Sequence, residues 1–342
     1  MKLTTLMCAS LMASAVSTVF AEPTLYLGSF GGSNEKTMKE KVIPPFEAKH
    51  KAKVVYVAGN STDTLAKLQA QKGRQELDVV IMDDGPTFQA AQFGFCDKLA
   101  DAPIYKDVYD IAKYNDKSIG IGMVATGLVY NTEAFKKAGL PAPTSWEDLT
   151  NPKFKQKIAI PPISNGYGLQ TLVMFAKLRK GSEKNIDPGF TALQKEVGPN
   201  VLVWEPSPGK MAELFQNGSV ILGVWGSGRV SSLKATGFPA ELVYPKEGAL
   251  ALGVGACPVV NSDVPELAQA FLQYMLTPEV QALMAASEGW GPTNRNTKLE
   301  PAVAAKVPYG PEQIGKLLPI DWTTANEKRA EWTNRWNRTI ER

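Results

Sequence analysis

Apolar positions recur along the chain at two alternating periods. Residues 24–32 open with the apolar run of a short strand and pass into a loop at Gly31 and Gly32. Beyond Asn34 the period lengthens, with Val42, Ile43 and Phe46 on one side of a predicted helix. A second strand is predicted over 53–58. An amphipathic helix follows over 62–71, beginning near Ser61 and stopping at Gly73. Residues 77–82 form a buried, β-branched strand closed by Asp83, Asp84, Gly85 and Pro86. This β-α-β-α-β order predicts a largely parallel sheet with helices on both faces. Two apolar segments around Gly122 and Gly127, over 119–130, suit a strand passing between lobes. A second α/β unit is predicted from strand 158–160, helix 168–179, strand 201–204, helix 211–216 and strands 220–225 and 241–244. Residues 251–260 read as a returning strand, followed by helices over 264–275 and 278–286. A last helix over 325–342 carries Trp332 and Trp336 on its inward side.

The first 21 residues carry Lys2, an apolar run and the small-residue pattern Val19-Phe20-Ala21, as a cleaved secretory signal does. The remaining roughly 320 residues exceed what one hydrophobic core usually supports, so two lobes are expected. The division predicted is 1–21 signal, 22–124 first lobe, 125–246 second lobe and 247–342 first lobe again. Crossing segments near residues 124 and 247 would act as hinges. No later run reaches the roughly 18 apolar residues of a membrane span, so the mature chain is expected to be soluble in the periplasm.

Composition removes several chemistries. The formal charge is +3 and its lysines and arginines are scattered, so nothing points to nucleic acid. The single histidine, His50, sits in a charged run, which leaves no material for a zinc site or a Ser-His-Asp triad. No cofactor or metal is expected. Cys96 and Cys257 remain after signal removal; a disulfide and two buried thiols are both open.

Candidate chemistry lies in the loops after strands, where ligands of open α/β sheets bind. Ser29, Phe30 and Gly31 follow the first strand and form either a ligand loop with a stacking ring or a tight turn. Asp83 and Asp84 end the third strand, and Asp84 is the preferred partner for a ligand ammonium, with helix capping as its other reading. Tyr167 precedes a helix whose amino end favours an anionic group. Trp225, Ser227 and Arg229 follow a strand of the second unit. Trp225 is read as an aromatic wall or as core, and Arg229 as a fork for an acid or as a surface charge. Trp290 is either a lid or simple packing.

The stretch from Tyr130-Asn131-Thr132-Glu133 through Gly139-Leu140-Pro141 to Thr144-Ser145-Trp146-Glu147-Asp148-Leu149 is well punctuated. Gly139 suits a helix C′ position, Pro141 ends the helix, and Ser145 or Thr144 can cap the next turn. It resembles a signature of the bacterial extracellular solute-binding proteins of family 1, nearest the spermidine/putrescine branch. Pro245-Lys246-Glu247-Gly248, Leu276-Thr277-Pro278-Glu279 and Gly289-Trp290-Gly291-Pro292-Thr293-Asn294 follow in the matching order. The resemblance implies a two-lobed, Venus-flytrap fold of type II that closes on a small molecule and docks on an ABC permease; the chain is expected to be a monomer.

Polyamine receptors of that branch place a Trp and an Asp two residues apart after the Pro-Lys-Glu-Gly block. Here Ala249-Leu250-Ala251-Leu252-Gly253 stands instead. One carboxylate, Asp84, and one arginine, Arg229, suit a ligand with one ammonium and one acidic group, such as an amino acid, an ω-amino acid or an aminophosphonate, and a polyamine-related solute stays open beside them. Two further readings are a secreted enzyme on the same scaffold, which would need a cysteine nucleophile in the cleft, and a receptor that signals to a sensor.

Overall fold

The computed structural model describes residues 22–341; the expected signal segment lies outside the described residues. Its strands are β1 (Thr24–Phe30), β2 (Lys53–Gly59), β3 (Val79–Asp83), β4 (Ile119–Asn131), β5 (Ile158–Ile160), β6 (Val201–Trp204), β7 (Leu222–Gly226), β8 (Ala240–Val243) and β9 (Leu250–Pro258). They hydrogen-bond in the order β2-β1-β3-β9-β4-β7-β5-β6, with β8 added to β4. β1 is parallel to β2 and β3, and β5 is parallel to β6 and β7, as the alternation with helices requires.

The two halves of this sheet meet along β4. Its first part, Ile119 to Thr126, pairs with β9, and Thr126 to Tyr130 pairs with β7. The far end of β4 also accepts β8, which lies so close that a side chain at Gly127 would strike the Val243 carbonyl. The sequence predicts two crossing segments, and the structure adds a third. Leu318 lies parallel to β9, donating its N–H to Ala249 O at 2.8 Å and accepting Ala251 N–H at 2.9 Å. Leu317-Leu318-Pro319-Ile320 has no period of its own, so sequence alone does not reveal it.

The quoted sequence signature has a physical job. Asn131 caps the helix Thr132–Lys137 by accepting Ala134 N–H, and Gly139 holds φ 64° behind it. Ser145 forms a capping box with Asp148. Its hydroxyl also donates to Glu247 at 2.5 Å, Trp146 Nε1 donates to Gly248 O at 2.9 Å, and Lys246 N donates to Thr144 O at 2.9 Å. Glu147 receives the two-pronged guanidinium of Arg179. Two motifs a hundred residues apart are thus tied together beside the crossing strands.

Two large apolar cores flank the crossing. One gathers Leu25, Leu27, Phe46, Val79, Phe271 and Met284; the other gathers Trp146, Phe154, Ile160, Phe175 and Phe190. The helix Trp322–Thr339 packs on the second of these cores. Its buried stripe of Trp322, Ala325, Trp332 and Trp336 completes the second core, with Trp336 edge-on to Trp204 at 4.9 Å. Cys96 and Cys257 form a fully buried disulfide, Cα atoms 5.6 Å apart, in a smaller cluster with Leu65, Leu68, Val80 and Phe95.

Candidate functional site

Four helices point their amino ends at one cavity of about 300 Å³ between the two halves of the sheet: Ser61–Ala70, Asp84–Gln92, Gly166–Leu178 and Ser227–Ala235. Each directs the partial positive charge of its amino end there, although Asn60 and Asn165 already cap two of them, at Asp63 N–H and Tyr167 N–H. Asn60, Ser61 and Asp83 face Ser164, Asn165, Tyr167 and Arg229 across it. A third wall comes from Trp322, Asn326 and Arg329, spaced along one side of the C-terminal helix. Asn326 Nδ2 reaches across to donate to Gly85 O at 2.9 Å.

The two adjacent aspartates have different surroundings. Asp83 ends β3 with its carboxylate at the cavity wall, where Oδ2 accepts the Ser61 hydroxyl at 3.0 Å and Ser61 Oγ accepts Asp83 N–H at 2.9 Å. Burial pushes its pKa up, while Ser61 and the Arg329 and Arg229 guanidinia hold it down. Asp84 turns into the protein. Oδ2 accepts Gly253 N–H from β9 at 2.9 Å, and Oδ1 accepts Gly85 N–H at 2.9 Å. Gly253 is required there, because a side chain would run into the Tyr114 hydroxyl.

Burial lifts the Asp84 pKa from 3.8 to about 7, against the pull of those N–H donors and with the Asp83 charge adding to the rise. The folded value lies above the unfolded one, so this group's stabilisation is full below about pH 4 and is lost as pH climbs to about 7. The slope is at most about 1.4 kcal/mol per pH unit. Asp84→Asn is expected to flatten the fall in melting temperature between pH 5 and pH 7.5, leaving the part due to Asp83. Superimposable pH profiles for the variant and the parent would remove Asp84 as its source.

Of the residues read from sequence, Asp84, Tyr167 and Arg229 line this cavity, Asp84 with both oxygens already engaged. Tyr167 is half-buried, its N–H held by Asn165 Oδ1 at 3.0 Å, and burial raises its hydroxyl pKa to about 12 against the nearby Arg229. The others lie apart. Ser29 is buried and bonds Asn34, and Phe30 meets Trp290 edge-on at 6.2 Å. Gly31 is exposed beside Ala58. Trp290 packs over Gly122 on β4. Trp225 is core, 3 % exposed and stacked on Phe215, because β7 is covered on both faces. Ser227 is buried and accepts Ala125 N–H at 3.2 Å. Sequence reading missed Arg329 and Asn326. Their spacing after Trp322 places them on one helical face, a signal masked by the inward tryptophan pattern of the same helix.

Residues 41–309 match the bacterial extracellular solute-binding proteins. The chain belongs to this family. The binding protein is 27% identical over 312 residues to an uncharacterized protein of Haemophilus influenzae, covering 87% of this chain and 86% of that one. It is 25% identical over 302 residues to spermidine/putrescine-binding periplasmic protein 1 of the same organism, covering 83% and 79%. A crystal structure of an ABC transporter protein from Clostridium perfringens superimposes with TM-score 0.84 at 26% identity, over 92% of this chain and 99% of that one. The two-lobed periplasmic binding fold follows. Among the described residues, Cys96 and Cys257 are joined in the buried disulfide, so neither of these two offers the thiol that a cysteine-dependent enzyme would need.

Proposed function

We propose that this binding protein is the receptor of an ABC importer and captures, by lobe closure, a small solute that carries an amine and an acidic group. In this reading residues 1–21 export it to the periplasm, and it works as a monomer that docks on the permease when closed. The ligand bridges the wall that includes Asp83 and the wall that includes Arg229, which stabilises the closed form. Asp83 receives the ammonium and the guanidinia receive the acid.

The carrying observation is the pair of arginines, Arg229 and Arg329, on a cavity whose wall offers Asp83 as its available carboxylate. A di- or tricationic polyamine, of the kind named for the Haemophilus relative, would bring two or three positive charges against two guanidinia. Like charges in a closing cleft oppose binding.

A thermal-shift panel on the ligand-stripped chain from residue 22 tests this with putrescine, spermidine, γ-aminobutyrate and β-alanine. An amino-acid-type ligand at 100 times its Kd stabilises the folded state by about 2.7 kcal/mol, a rise of about 2 °C or more. Asp83→Asn is expected to weaken that ligand about tenfold or more, through loss of a charge-assisted contact. A shift with putrescine or spermidine alone would reject the proposal.

A further inference from the structure

The arginine ion pairs of the described residues join Arg179 to Glu147 and Glu196, and Arg335 to Asp187. Arg229 and Arg329 are in none of them. Arg329 donates only to the Ile163 and Ser164 carbonyls, both at the 3.5 Å limit of a hydrogen bond. Arg229 sits two residues into its helix, exposed, beside the Tyr167 hydroxyl. Both line the same cavity of about 300 Å³ as Asp83, so the three charges share one small space. Each guanidinium presents five N–H donors in a planar fork, and most of these ten are unused.

Charge then selects the ligand's acidic end. If Asp83 balances the ammonium, two guanidinia remain to be balanced by the acid. A carboxylate brings one negative charge and two oxygens. A phosphonate or phosphate monoester brings up to two charges and three oxygens, matching two separate forks. The helix ends at Ser61, Gly166 and Ser227 add further positive potential on the same side of the balance.

We infer that the acidic end of the ligand is a tetrahedral dianion, a phosphonate or phosphate monoester, gripped between Arg229 and Arg329. This rests on the reading of the cleft as a site for an amine-bearing acid. Arg329 becomes a specificity-determining residue, carried into the cleft by the C-terminal helix.

Four probes share a two-carbon amine and differ at the acid: β-alanine (planar monoanion), taurine (tetrahedral monoanion), 2-aminoethylphosphonate and phosphoethanolamine (tetrahedral dianions). Calorimetric titration of the ligand-stripped chain from residue 22 at pH 7.5 is expected to show one of the dianions binding about tenfold or more tighter than either monoanion. The tighter of the two identifies phosphonate or ester. Its affinity relative to taurine is expected to fall from pH 7.5 to pH 5.5 as the second oxygen charge, with a pKa near 6, is lost. Arg329→Gln is expected to bring the dianion and taurine to near parity, and Arg329→Lys to restore part of the gap, with unchanged melting temperatures in the ligand-free variants. Equal or tighter binding of β-alanine or taurine would overturn the dianion and leave the amine-plus-acid receptor standing. Binding of putrescine alone, or of none of these probes, would overturn both.

Discussion

Removal of the Cys96–Cys257 disulfide by Cys96→Ala/Cys257→Ala is expected to lower the unfolding free energy by about 5 kcal/mol. The bond closes a loop of 161 residues, and the entropy returned to the unfolded chain on opening so long a loop is on that order. The link also spans the structure unusually: Cys257 lies in β9, after the chain has passed through the second half of the sheet and returned, whereas Cys96 precedes β4. In the unfolded protein the bond therefore fastens both flanks of that excursion together. Guanidinium titration followed by circular dichroism would measure the loss, and a change below about 1 kcal/mol would show that the bond is thermodynamically idle. Ligand binding by the folded variant should persist, since the disulfide lies in the cluster of Leu65, Val80 and Phe95 and does not line the cleft.

Trp336→Ala is the second large loss, about 3–5 kcal/mol for a fully buried tryptophan. The side chain is clamped by Trp204 within the core that also holds Phe175 and Phe190, so the hole left cannot collapse cheaply. The same titration should show the transition of that core moving to lower denaturant, ahead of the one containing Phe46 and Phe271. A single unshifted transition would mean that the helix is not part of the cooperative unit.

Much of the architecture was legible because local rules and tertiary demands agree. Residues 158–160 and 201–204 became β5 and β6 at their predicted bounds, and Gly139 and Ser145 took the helix-end and cap positions their residue types favour. The site was less legible. Asp84 was preferred over Asp83, yet neighbouring residues at a strand end point in different directions, and the chain turns into a helix between them. Only the position of Gly253, 169 residues away, decides that Asp84 points inward. Trp225 looked like a cleft wall because small residues follow it, but β7 lies inside the sheet with both faces covered, so the ring had nowhere else to go. Arg329 was hidden by distance, in a helix whose pattern speaks of tryptophan packing and whose route back to the cleft depends on the unpatterned third crossing at Leu318.

That route imposes a timetable. A chain made from its amino end presents Leu25, Phe46 and Val79 early, while Trp146, Phe175 and Phe190 are laid down before the helix that seals them. Their core cannot close until Trp332 and Trp336 have emerged some 140 residues later. During that interval a broad aromatic surface stands uncovered, and such surfaces invite aggregation. A chain with this ordering benefits from an escort that delays collapse until its last helix has arrived, and shortening that helix should harm yield before it harms affinity.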